Sequence, residues 1–192
     1  MAVTYGQARA QWLAHVSGVR APAWMADWLT DAMSLTLKLT SRCASFRVQR
    51  LAQRRALPLH DEFAQVALPR RVAVQEREVL LRCDGRPVVY AHTIVPLSAT
   101  ARDWPFFGAL GERSLGTTLF GDPRVWRGRL QYARLGARHP LARRAQAALG
   151  TALPAPLFAR RCLYRRRRGL LLVTEVFLPA IGDVTAPPAG RK

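Results

Sequence analysis

The chain is short of cysteine, histidine, lysine and acid, and each shortage removes a class of protein. Cys43, Cys83 and Cys162 show no CxxC spacing and no histidines cluster beside them, so neither a disulfide framework nor a zinc site is expected. They read as small core or edge residues. No apolar run approaches the roughly 20 residues that span a bilayer, and the N-terminus lacks a basic stretch followed by an apolar core. A cytoplasmic protein is the expectation. Gly108, Gly111 and Gly116 fit neither a P-loop nor a dinucleotide fingerprint, so no nucleotide site is read. All but two of the 30 basic residues are arginine, the exceptions being Lys38 and Lys192, and only 12 acids oppose them, leaving a formal charge of +18. Such a charge suggests nucleic acid. Yet the arginines are spread along the chain and no helix-turn-helix, zinc finger or aromatic RNA-binding motif accompanies them. A positive field also steers small anionic metabolites, and no nucleic-acid partner is expected.

What is present is a core. With 192 residues, 49% of them hydrophobic and 22% charged, the chain suits one globular domain over 1–192, with 185–192 a frayed tail. Trp24, Trp28, Leu29, Met33 and Leu37 recur at helical spacing between Pro22 and Thr40, with a break near Ser34-Leu35-Thr36. Residues 45–55 alternate as a half-exposed strand, and 124–135 as another, in which Val125, Arg127, Arg129, Gln131 and Ala133 oppose Trp126, Leu130 and Tyr132. His139 to Leu149 reads as a helix entered through Pro140 and ended at Gly150. A last hairpin pairs 157–164 with 169–179 across an arginine-rich turn.

Two residues stand out against this background. Glu175 interrupts the apolar run Gly169 to Pro179, so whichever way that strand lies its carboxylate has apolar neighbours and needs a partner. Asp84-Gly85 between two extended runs, 71–83 and 86–95, is a strong hairpin signal, since both residues must take positive φ. Counting outward from a two-residue loop sets Cys83 opposite Arg86, Leu81 opposite Val88, Val79 opposite Tyr90 and Arg77 opposite His92, all on one face. Glu76, Glu78 and Arg82 then belong to the other, better suited to solvent. Arg77 on an apolar face poses the same question as Glu175. The two read as the poles of a substrate pocket, or as a buried ion pair serving structure alone. The glycines between Trp104 and Phe120 suit a lid or pocket wall.

Five blocks, kept in order over nearly the whole chain, resemble the chorismate pyruvate-lyase family. They are Trp28-Leu29 through Ser34-Leu35-Thr36; Arg77-Glu-Val-Leu-Leu with Asp84-Gly85 and Thr93-Ile-Val-Pro96; Leu110-Gly with Leu115-Gly and Leu119-Phe120; Arg160-Arg161; and Thr174-Glu-Val-Phe-Leu-Pro-Ala180. The resemblance implies an α+β fold, a six-stranded antiparallel sheet with helices on one face enclosing a ligand. It implies cofactor-independent cleavage of chorismate to 4-hydroxybenzoate and pyruvate, supplying the ubiquinone ring, by a monomer. It also implies substrate contacts at Leu35, Arg77, Leu115 and Glu175, with Arg77 and Glu175 catalytic. The chain departs from the family where His92 replaces a second arginine expected opposite the first, which would weaken the grip on the substrate carboxylates or make it pH-dependent. The segment 136–156 is also longer than the family leads one to expect, and its helix is placed outside the site. The alternative is a non-catalytic effector-binding domain, as in transcription regulators that resemble the same fold.

Overall fold

The computed structural model describes residues 9–184; the tail expected at 185–192 lies outside them. Six strands form one antiparallel sheet: β1 (Phe46–Ala56), β2 (Val74–Cys83), β3 (Arg86–Pro96), β4 (Val125–Leu135), β5 (Leu157–Arg166) and β6 (Gly169–Phe177), in the spatial order β1-β2-β3-β6-β5-β4. Each half is a three-stranded meander, and the halves join where β3 pairs with β6. Five α-helices accompany the sheet: α1 (Ala23–Thr30), α2 (Leu35–Thr40), α3 (Leu97–Thr100), α4 (Leu115–Gly121) and α5 (Pro140–Leu149). The α+β class and the strand count agree with expectation.

Local chemistry explains the helix boundaries. The helical pattern from Pro22 does break, because α1 ends at Thr30 and the Ser34 hydroxyl opens α2 by accepting from Leu37 N at 3.5 Å. Ser114 opens α4 the same way, toward Thr117 N at 3.5 Å. Serine is suited to this position because its oxygen satisfies an amide that the first helical turn leaves unpaired. In α5, Pro140 occupies the first turn and Gly150 takes φ +65° at the end, as read from the sequence.

Bulges decide which residues share a face. Asp84 and Gly85 adopt φ of +50° and +78°, the tight turn that was expected, and Cys83 pairs with Arg86. Beyond Arg82 an extra residue, Val88, enters β3, and the register moves by one. Leu81 therefore pairs with Val89, Val79 with Ala91, Glu78 with His92 and Arg77 with Thr93. The expected Arg77–His92 pairing is corrected: one inserted residue sends every later side chain of β3 to the opposite face. A second bulge in β4, between Arg127 and Leu130, sets Arg127 opposite Tyr164 and Leu130 opposite Cys162.

The front face thus carries Arg77, Val79 and Leu81 of β2, Ala91 and Thr93 of β3, and Val173, Glu175 and Phe177 of β6. Helices α1, α2 and α4 cover it, burying Trp28, Leu29, Leu39, Leu115 and Leu119. The back face carries Leu80, Tyr90 and Val176, packed against Leu141, Ala142 and Ala145 of α5. The alanine-rich helix lies outside the front face, as expected, and its position corrects another reading. Glu76 and Glu78, assigned to solvent from the alternation of β2, are 1% and 7% exposed beneath it.

Candidate functional site

A cavity lies between the front face and the helices above it, with about 560 Å³ of empty space when its open mouth is counted. Leu35, Arg77, Leu115 and Glu175 all line it; four of the five residues singled out from the sequence are brought together. His92 is not among them.

Arg77 sits on β2, 2% exposed, and its Nη2 donates to the carbonyls of Gly111 and Arg113 at 3.1 and 3.0 Å. Its buried Nε has no partner, and among the described residues no carboxylate pairs with it. Burial, and then the nearby Arg50, pull its pKa down to about 10, so it remains charged near neutrality. Burying a guanidinium at a cavity wall without a carboxylate is costly, and an anion in the cavity would offset that cost.

Glu175 finds a different partner from the one its position suggested. Arg160 Nε donates to its Oε2 at 2.5 Å, directly across the β5–β6 pairing. Arg160, 2% exposed, also donates from Nη1 to the carbonyls of Trp28, Leu29 and Asp31 at 3.0, 3.3 and 2.9 Å. A cation there meets the carbonyls that end α1, so the same arginine fixes the covering helix and orients the carboxylate. Oε1 of Glu175 makes no hydrogen bond among the described residues, and the side chain remains 19% exposed. Sequence reasoning quoted Arg160 without giving it this role. Pairing Arg166 with Gly169 across the turn and counting back reaches Arg160 opposite Glu175, so the signal was present in the hairpin.

Leu35 and Leu115 occupy equivalent places, each following the serine that opens its helix. Thr36 Oγ1 and Ser114 Oγ meet at 2.6 Å, joining the two helices above the cavity. A Cβ on Gly116 would lie 3.0 Å from Thr36 Oγ1, so this glycine serves close approach of the two helices.

His92 lies on the back face, 1% exposed, between Glu62 Oε1 at 2.9 Å and Glu76 Oε2 at 3.0 Å. Burial alone would lower its pKa, but these two carboxylates outweigh it and push the imidazole up to about 10. Glu76, Glu78 and His92 have the spacing of metal ligands. Their charges are already met: Arg144 of α5 donates to Glu76 at 2.8 Å and to Glu78 at 2.6 Å, and Arg54 reaches Glu76 at 3.3 Å. Three carboxylates, counting Glu62, face three cations, which leaves no deficit for a metal to fill.

The model of the chorismate lyase family matches residues 7–185. The chain belongs to this family. A relative from Ralstonia nicotianae, named "Probable chorismate pyruvate-lyase", is 52% identical over 166 residues, covering 85% of each chain. Another with that name, from Cupriavidus metallidurans, is 47% identical over 93% of this chain and 85% of its own. Among solved structures, the regulator PhnF from Mycobacterium smegmatis has a TM-score of 0.54 at 17% identity, over 84% of this chain and 71% of that one. A GntR-family regulator from Bacillus cereus has a TM-score of 0.52 at 10% identity, over 78% of this chain and 100% of that one. These two likenesses concern the fold alone. Chorismate lyase family membership rests on the sequence, and no helix among the described residues is long and apolar enough to cross a membrane.

Proposed function

We propose that the protein is a chorismate pyruvate-lyase, converting chorismate to 4-hydroxybenzoate and pyruvate for the ubiquinone ring. The observation that carries this reading is a buried guanidinium, Arg77, without a carboxylate among the described residues, facing the same cavity as the ion-paired carboxylate of Glu175. Chorismate supplies what each lacks. Its ring carboxylate suits Arg77, which holds it by charge-assisted hydrogen bonds and orients the ring. Its ring hydroxyl suits Oε1 of Glu175, held in place by Arg160.

The chemistry is an elimination. The bond from the ring to the enolpyruvyl oxygen breaks, its electron pair goes to that oxygen, and the ring carbon bearing the hydroxyl loses its hydrogen. The ring gains its third double bond, and the released enol takes a proton to become pyruvate. Aromatisation supplies the driving force, so the reaction calls for no metal, nucleotide or redox cofactor. Glu175 accepts the hydroxyl's hydrogen bond and assists the proton transfer beside it. Leu35 and Leu115 shield the site from water. In this proposal the protein works as a monomer in the cytoplasm on a small acid, with nucleic acid no part of its function.

The test is direct. Purified protein mixed with chorismate should release both products without added cofactor, and Glu175→Ala should lose most of that rate. A wild-type protein inert from about pH 6 to 9, a window spanning roughly the histidine and thiol pKa values, would overturn the assignment. Binding of chorismate without turnover would place the chain instead with the effector-binding domains whose fold it shares.

A further inference from the structure

We infer that Arg127 is a specificity-determining residue, binding the carboxylate of the enolpyruvyl arm that chorismate carries and 4-hydroxybenzoate lacks. This inference rests on the lyase reading for the identity of the ligand, but its structural basis is separate.

Three guanidinium groups line the cavity: Arg77, Arg127 and Arg160. Arg160 is neutralised by Glu175. Arg127, like Arg77, has no carboxylate within ion-pair distance among the described residues, and its Nε is buried without a partner. Its Nη1 donates to the carbonyl of Ala32, at the start of the turn into α2. Its guanidinium lies 5.3 Å from the centre of the Phe120 ring, so backbone and ring hold it from two sides. Two unneutralised guanidinium groups face one cavity, and the proposed substrate is a dianion.

Placement on the sheet agrees with the order of groups along chorismate. Arg77 is on the second strand in spatial order, Glu175 on the fourth and Arg127 on the sixth. Four strand spacings of about 4.8 Å separate the outer two backbones, about 19 Å in all, and both side chains line the one cavity between them. A ring carboxylate at Arg77, the hydroxyl and ether carbons at Glu175 and the enolpyruvyl carboxylate at Arg127 follow in sequence.

The β4 bulge is what makes this possible. In a regular β4–β5 pairing that keeps Leu130 opposite Cys162, Tyr164 would face Gly128, and Arg127 would point to the back face. The extra residue turns Arg127 into the cavity instead. Gly128 permits it, since a Cβ there would meet the Leu163 carbonyl at 2.9 Å.

The experiment compares ligands with one and two carboxylates. Affinities for 4-hydroxybenzoate and for 3-(1-carboxyvinyloxy)benzoate, an unreactive aromatic dicarboxylate, are measured by calorimetry on wild type, Arg127→Gln and Arg127→Lys. Arg127→Gln should weaken the dicarboxylate about tenfold to hundredfold, as loss of a charge-assisted contact does, and leave 4-hydroxybenzoate within about twofold. Arg127→Lys should recover part of the loss. With chorismate, KM should rise in the same order. Equal weakening of both ligands would make Arg127 a structural prop of the pocket, and no weakening of either would remove it from the site; each result overturns the inference. Because these affinities need no turnover, a protein that discriminates the two ligands yet fails to cleave chorismate would sink the lyase reading while sustaining this one.

Discussion

The front and back faces of the sheet are built from the same kinds of charged residue and reach opposite electrostatic ends. Behind the sheet, Glu62, Glu76 and Glu78 meet His92, Arg144 and Arg54 within ion-pair distance. In front, Glu175 and Arg160 close one pair, while Arg77 and Arg127 face the cavity without a carboxylate among the described residues. A balanced buried cluster needs nothing further; an unbalanced one is completed by a ligand. The proposed division of structure from function on a single sheet rests on this difference. It is also why burial of a charged residue alone did not identify the site.

Substitutions on the two faces should therefore separate activity from stability. The largest effect belongs to Glu175→Gln, where kcat should fall about 10²- to 10⁴-fold, the usual contribution of a group assisting proton transfer, with only a modest fall in Tm, because buried Arg160 loses its carboxylate but keeps the carbonyls that end α1. If Tm collapses along with the rate, the residue is structural and the contrast between the faces fails. Arg77→Met comes next. Affinity for 4-hydroxybenzoate, followed by calorimetry, should drop about tenfold to hundredfold. Tm should hold or rise, because an unpaired buried charge is replaced by an apolar chain; a marked fall in Tm would show that its carbonyl contacts matter more than its charge.

Behind the sheet the pattern reverses. Arg144→Met should cost about 1–3 kcal/mol in denaturant unfolding, by stripping Glu76 and Glu78 of a partner, while KM and kcat for chorismate stay within about twofold. A large activity loss at preserved stability would extend the site to the back face.

The smallest effect is on pH dependence. Folding raises His92 from 6.5 to about 10, so protonation of the imidazole stabilises the fold. That stability is complete below about pH 6.5 and is lost as pH rises toward 10. Burial would raise the Glu76 carboxyl, but His92 and Arg144 together outweigh it and hold it down from 4.5 to about 2; its contribution is present above about pH 4.5 and lost as pH falls toward 2. The Tm difference between wild type and His92→Gln should accordingly narrow from pH 6.5 to 10, with KM for chorismate unchanged within about twofold at pH 7. A rise in KM confined to the variant would return His92 to the substrate.

The candidate site was partly legible in the sequence. Glu175 in an apolar run and Arg77 in a hairpin of known turn were found by alternation, and Leu35 and Leu115 by resemblance. His92 was expected on the cavity face, and Arg127 was not, for one shared reason. Alternation assumes a regular ladder, and a single extra residue, Val88 in β3 or the one beside Gly128 in β4, reverses every assignment beyond it. One bulge moved a histidine out of the pocket and the other turned an arginine in. Glu76 and Glu78 were assigned to water because nothing in β2 itself reveals that α5 will cover it.

By itself the sequence determined what nearest neighbours control: the Asp84-Gly85 turn, the serines opening α2 and α4, the limits of α5, and the presence of one acid and one arginine where apolar residues were due. These follow from backbone preferences and from amides that need local partners. Tertiary structure decided which charges meet. Arg160 reached Glu175 across a hairpin and the end of α1 from 129 to 132 residues away, α5 brought Arg144 to the back-face acids, and the bulges chose which guanidinium groups faced the cavity. Ion pairing depends on distances between segments remote in the chain, and those distances exist only once the sheet has closed and the helices have packed on both its faces.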